Sequence, residues 1–201
     1  MPDTIIDLIR HGEPLGGRLY RGHQIDHALS EKGWQQMWDA VGNYSEWQHI
    51  VTSPMKRCSE FAQQLAGKLS VPVTTEHDLR EVGFGSWEGR SREQIMADNL
   101  KEYEDFYRDP VNCRPDGAEP IADFINRVDY SWDQIIKEFE GQHILVVAHA
   151  GVIRAIVAGV LHAEPVGMYH IKVDNAGMSR IIHGEHGSIL HFHNTSIADM
   201  T

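Results

Sequence analysis

The chain has 201 residues, which at about 150 residues per domain is room for one domain carrying an insertion. Hydrophobic residues make up 41% and charged residues 23%, so a core of ordinary size needs no disulfide or metal to hold it. Eighteen Lys and Arg against 29 Asp and Glu give a net charge of −11, which excludes a generic nucleic-acid or anionic-membrane binder.

Thr4 to Ile9 is a short apolar run with β-branched residues and predicts a buried strand ending at Arg10-His11-Gly12-Glu13-Pro14. A loop follows to Ala28, and Ser30 predicts the N-cap of a helix over Glu31 to Val41. His49 to Thr52 predicts a second buried strand. Ser53-Pro54 then predicts a helix start, Ser as N-cap and Pro at the first helical position, with Phe61, Leu65 and Leu69 on its apolar face. Val71 to Thr75 reads as a short strand and Leu79 to Gly89 as a Gly-rich loop. From about 90 to 140 the polar content predicts a helical cap insertion, broken by a loop at Asp109 to Pro120.

His143 to Ala148 predicts the strongest strand and Val152 to Leu161 the strongest helix. Taken together, Ile144 to Leu161 is an apolar stretch, but Arg154 lies well inside it. A central Arg costs about 2.5 kcal/mol or more in lipid, so the stretch predicts core, not membrane. Three terminal strands are expected at His170 to Val173, Met178 to His183 and Ser188 to His193. Two cysteines, Cys58 and Cys113, form no framework, and the N-terminus lacks the look of a secretory signal. The expectation is a cytoplasmic protein that takes neither nucleic acid nor membrane as a partner. A homodimer stays open. The element order predicts an α/β three-layer sandwich: a mostly parallel central sheet, helices on both faces, and a small helical cap.

Three predicted strands end in similar chemistry. The first ends at Arg10-His11-Gly12, the second at Thr52-Ser53-Pro54 with Arg57 just beyond, the third at His149-Ala150-Gly151. The carboxyl ends of central strands form the ligand crevice of such sheets, and helix N-termini add N–H donors there. A lone His after a strand is ordinarily structural, and a lone Arg in a helix's first turn is ordinarily solvated. Their convergence is what predicts a cationic hollow suited to a phosphate monoester.

These residues carry a resemblance. Arg10-His11-Gly12-Glu13 resembles the signature of the histidine phosphatase (phosphoglycerate mutase-like) superfamily. Thr52 to Cys58, Leu79 to Gly89, Val147 to Gly151 and Asp174 to Gly177 resemble its later motifs, in family order. The resemblance implies one domain over 1–201 with that superfamily's fold and a metal-independent, cofactor-free phosphomonoesterase. It implies that His11 is the nucleophile, that Arg10, Arg57 and His149 hold the phosphoryl oxygens, and that Glu81 is the general acid and then base. Glu13 and Glu88 are rivals for that role; Glu88 reads better as a loop anchor and Glu13 as an orienting group.

The text around Asp7 to Pro14, Arg21-Gly22 and Leu29 to Trp34 looks similar to the α-ribazole phosphatase type of hydrolase. Arg18, Arg21, Gly22 and His23 are therefore candidate substrate contacts, with a small phosphate ester such as α-ribazole 5′-phosphate as the expected substrate. A mutase and a non-catalytic phospho-ligand module are the alternatives. Chain length and the absence of a Trp-Asn pair after Gly12 favour a hydrolase. One departure stands in the cap loop, where Gly117 and Glu119 are separated by Ala118. Trp87 and Tyr107 read as packing or ring-stacking groups. His191 and His193 share a strand face, but no third ligand accompanies them at firm spacing, so no metal site is expected.

Overall fold

The computed structural model describes residues 2–198. Six strands form one sheet: β1 (Thr4–Arg10), β2 (His49–Thr52), β3 (Val73–Thr75), β4 (His143–Ala148), β5 (Met178–Gly184) and β6 (Gly187–Thr195), in the order β3-β2-β4-β1-β5-β6. β3, β2, β4 and β1 run parallel, and the β5–β6 hairpin adds antiparallel strands beside β1. Among the described residues five α-helices accompany it: α1 (Glu31–Val41), α2 (Lys56–Leu69), α3 (Arg92–Arg108), α4 (Ile121–Glu138) and α5 (Ala150–Val160).

The unbroken apolar run of β4 follows from burial on both faces. Ile144 and Val146 pack with Ile6 and Leu8 against Phe124, Val128 and Trp132 of α4 and Val152 and Ile156 of α5. Leu145 and Val147 face the other way, with Ile9, against Met37 and Val41 of α1 and Phe61 and Leu65 of α2. That period of two makes three layers, as expected.

Layering also positions the crevice. The chain leaves β1 towards a helix on one face and leaves β4 towards a helix on the other. Their carboxyl ends are level, with Arg10 opposite Ala148 and Thr52 opposite Val147. The reversal between neighbouring strands opens a gap at their ends, the usual ligand position in such sheets.

Three expectations need correction. The helix predicted from Ser53-Pro54 begins at Lys56, with Met55 at the N-cap and no side-chain cap. The strand predicted at His170 to Val173 is absent; Pro165–His170 is a 3₁₀ helix and an irregular segment follows. Its carbonyls are taken by side chains instead of a ladder: Ile171 by Arg154 Nε (2.8 Å), Lys172 by His193 Nε2 (2.7 Å) and Val173 by Arg10 Nη1 (2.7 Å). The expected cap over 90–140 divides. α3 sits on a satellite cluster of Trp87, Ile95, Tyr103 and Phe106, while α4 buries Phe124, Val128 and Ile135 in the main core. Polar residues on the exposed face of α4 conceal a core stripe.

Candidate active site

His11 follows directly from β1. Its backbone N–H donates to the Ala148 carbonyl (3.0 Å), which extends the β1–β4 ladder by one residue. The Asp174-Asn175-Ala176-Gly177 turn grips it from the other side: Ala176 N–H donates to the Arg10 carbonyl (3.0 Å) and Asn175 Nδ2 to the His11 carbonyl (3.2 Å). Gly12 is needed for packing, since a Cβ there would stand 2.2 Å from the Gly33 carbonyl oxygen of α1. The imidazole Nδ1 lies 2.7 Å from the Gly12 carbonyl, an acceptor only, so Nδ1 carries the proton and Nε2 keeps its lone pair. Burial, then the charges of Arg10 and Arg57, hold this imidazole well below the usual histidine range.

Arg57, in the first turn of α2, and His149, at the N-cap of α5, are both fully buried beside His11. The two imidazole centroids are 5.2 Å apart, edge to face. Arg57 Nη2 donates to the Gly22 carbonyl (2.8 Å), Nη1 to that of Ile25 (3.0 Å), and Nε to His149 Nδ1 (3.3 Å). His149 Nε2 meets Ser53 Oγ at 2.7 Å. Both His149 nitrogens therefore have protein partners, Ser53 on one side and Arg57 on the other.

Glu81 is buried, held by the start of α5. Gly151 N–H donates to its Oε2 (3.3 Å) and Val82 N–H to its Oε1 (3.0 Å). The second Gly of the family text has a physical reason here: a Cβ on Gly151 would lie 2.3 Å from Glu81 Oε1. The Glu81 carbonyl is held by Arg127 Nη2 (3.2 Å) and His23 Nδ1 (3.1 Å). Arg127 also forms a half-buried fork with Glu119 (2.7 and 2.9 Å), and Glu119 accepts from Gly83 N–H (3.0 Å). The altered cap loop is thus a clamp on the acid-bearing loop.

A cavity of about 180 Å³ opens at this point, with Arg10, His11, Arg21, Glu81 and Arg154 in its wall. Among the described residues no ion pair involves Arg10, Arg21, Arg57 or Arg154. Arg10 Nε is buried without a hydrogen-bond partner. Three guanidinium groups outside any ion pair, those of Arg10, Arg21 and Arg154, make the cavity wall cationic in an acidic chain, while Arg57 and His149 lie buried behind it and do not line it. A second cavity, about 300 Å³, adjoins it and shares Tyr20, Phe84, Arg154 and Tyr169; Phe106 and Tyr107 add further rings.

The expected substrate contacts separate. Arg21 lines the inner cavity, pinned by the Leu15 carbonyl (2.6 Å) and His27 (3.1 Å). Arg18 is exposed on the loop, and Gly22 is buried facing Glu88; neither lines the cavity. Glu88 is a loop anchor, accepting from Phe84, Gln24 and Ile25 N–H groups (3.0, 2.9 and 3.3 Å), and Glu13 pairs with Lys32 (2.8 Å). Trp87 is packing, its Nε1 donating to Glu102 (2.9 Å). Cys58 is buried under His149, its thiol pushed up to about 12 by burial. His193 is engaged by Ser179 (2.8 Å) and Lys172. Arg127 carries no signal in the sequence, since no spacing rule ties it to His11; Arg154, the single charge in an apolar helix, and Glu119, in the departing cap loop, stand out without showing what they touch.

The fold is a layered α/β sandwich with a cationic cavity at its strand ends, and the chain belongs to the histidine phosphatase superfamily, branch 1, whose model matches residues 6–196. Among its relatives is the adenosylcobalamin/α-ribazole phosphatase of Escherichia coli K12, 29% identical over 87% of each chain. Phosphoserine phosphatase 1 of Hydrogenobacter thermophilus is 29% identical, over 89% of this chain and 85% of that one. A bifunctional protein of Mycobacterium tuberculosis is 31% identical over 88% of this chain, which spans about half (49%) of that relative's length. The crystal structure of the α-ribazole phosphatase of Shigella flexneri superposes with a TM-score of 0.83, at 26% identity, over 95% of this chain and 96% of that one. Among the described residues no helix is long and apolar enough to cross a membrane.

Proposed function

We propose that this protein is a metal-independent phosphomonoesterase working through a phosphohistidine. The observation that carries the reading is the His11 imidazole, with its proton fixed on Nδ1 by the Gly12 carbonyl, beside a partnerless Arg10 Nε and the Glu81 carboxyl in one small cavity. The Nε2 lone pair attacks phosphorus; the N–P bond forms as the P–O bond to the leaving group breaks. Arg10 and Arg57 stabilise the transferring oxygens, His149 acting through Arg57. Glu81 gives its proton to the leaving oxygen. Water then attacks the phosphohistidine, Glu81 takes its proton, the N–P bond breaks, and phosphate departs with His11 neutral again. All the required groups belong to the chain itself.

α-Ribazole 5′-phosphate is the favoured substrate within the class. Two α-ribazole phosphatases resemble the chain over most of its length, and the adjoining cavity, rich in Tyr and Phe, suits a ring-bearing leaving group. The test is hydrolysis of an aryl phosphate in excess chelator, followed by a panel of α-ribazole 5′-phosphate, phosphoserine, sugar phosphates and nucleotides compared by kcat/KM. His11→Ala is expected to abolish turnover; undiminished turnover in that variant rejects the mechanism. A kcat/KM for phosphoserine above that for the ribazole ester rejects the substrate.

A further inference from the structure

Ser53 stands where a helix cap is expected and does not cap. The Ser-Pro pair at the end of β2 has the composition of an N-cap and first helical residue, yet α2 starts only at Lys56. The Ser53 hydroxyl reaches Met55 N–H at a long 3.4 Å, against 2.7 Å to His149 Nε2. A capping hydroxyl stabilises a helix start, and here it is turned away from that role toward His149. Its backbone explains the aim. Ser53 N–H donates to the Val147 carbonyl (3.0 Å), locking the residue beside the end of β4, two positions before His149. Both side chains are fully buried, so each polar atom needs a partner.

The protonation pattern follows from donors and acceptors. A guanidinium Nε–H only donates, so His149 Nδ1, facing Arg57 Nε at 3.3 Å, is the bare nitrogen. The His149 proton is then on Nε2 and points at Ser53 Oγ. Burial, then Arg57, His11 and Arg10, keep this ring well below the usual histidine range and therefore neutral. Cys58, with Sγ 3.7 Å from Nε2, is a poor acceptor and no substitute for the hydroxyl.

We propose that Ser53 is a positioning residue for phosphoryl transfer: by accepting the Nε2 proton of His149 it fixes that tautomer, and the bare Nδ1 in turn holds the Arg57 guanidinium beside His11. The proposal rests on the phosphohistidine reading, but its first test does not need turnover. Nitrogen-15 NMR of the histidines in the whole protein, assigned with His149→Gln, reads the tautomer directly. Wild type is expected in the Nε2–H form and Ser53→Ala as a mixture of both; a wild-type ring with its proton on Nδ1 overturns the proposal. On an aryl phosphate, Ser53→Ala is expected to lose up to about 100-fold in kcat, the scale of a misplaced clamp. Ser53→Thr, which retains the hydroxyl, should return to within a few fold of wild type, and should hold the Nε2–H form even if the alanine variant fails to fold. Unchanged kcat in folded Ser53→Ala, or no recovery of kcat in folded Ser53→Thr, also overturns it. If no ester is turned over by wild type, the function falls while the tautomer result stands or falls separately.

Discussion

His11 is useful as a nucleophile only while neutral, and its surroundings enforce that state. Burial and the flanking guanidinium groups lower its proton affinity, and the Gly12 carbonyl fixes its proton on the nitrogen that does not react. A histidine depressed in this way stays neutral as pH falls through its ordinary value near 6.5. The acid limb of kcat/KM is therefore expected well below pH 6.5; a limb at 6.5 that disappears with burial-preserving changes near His11 would contradict this. Glu81 gives a second prediction at the same scale. Glu81→Gln should reduce kcat by about 10²- to 10⁴-fold on an alkyl phosphate, the usual share of general acid–base catalysis, and by less on an aryl ester whose leaving oxygen needs no proton. Equal losses on both esters would remove Glu81 from the acid role. The residues of this layer were the most legible in the sequence. His11, Arg10, Arg57, His149 and Glu81 gather around one point because each follows a strand end or its loop. Arg18 and Gly22 lie outside the cavity wall because neighbourhood along a loop says little about which way it turns, and Ser53 is drawn from its cap position because local pattern cannot foresee a tertiary partner.

Two helix starts serve the site, and each is shaped by it. α5 is preceded by His149 at its N-cap and offers Gly151 N–H to Glu81, at a spot where no Cβ fits. Gly151→Ala should push the carboxylate from the cavity and lower kcat about as much as Glu81→Gln, with the thermal midpoint little changed because Ala is the better helix residue. A fully active alanine variant would show that Glu81 has no fixed seat there. α2 gives up its cap and the segment after the 3₁₀ helix gives up its strand for a related reason: side chains from elsewhere in the fold claim the hydroxyl or the carbonyls. Such local exceptions are where pattern reading fails, since propensity is overruled by tertiary hydrogen bonds. α4 failed differently. Its exposed polar face outnumbers the core stripe of Ile121, Phe124, Val128 and Ile135 in a simple reading of composition.

Across the molecule, the layered sheet was readable because β1 and β4 are apolar on both faces. One charge inside β1 is the exception. Asp7 is fully buried, forked by Arg180 (2.8 and 2.9 Å) and joined by Trp47 Nε1 (2.8 Å) and His143 Nε2 (2.8 Å). It ties β1 to β4, β5 and the segment before β2, far along the strand from His11. Burial alone would raise its pKa, but the hydrogen bonds from His143 and Arg180 and the Arg180 charge outweigh it, leaving the carboxyl below its ordinary 3.8. The sign is that of a depressed acid: the stabilisation is present above the unfolded value and is lost as pH falls through the folded one. Asp7→Ala, which strands Arg180, should cost about 3–5 kcal/mol in denaturant unfolding and flatten stability against pH below 4. A loss under 1 kcal/mol would mean that water replaces the carboxylate.

The central claim is a covalent phosphoryl group on His11. Rapid quench of the enzyme with a radiolabelled phosphate ester, followed by digestion and mass spectrometry, tests it most directly. The expected result is an acid-labile, base-stable phosphoryl group on the peptide holding His11, formed at least as fast as turnover and absent in His11→Ala. Steady turnover with no label on that peptide, or label on another side chain, would contradict it.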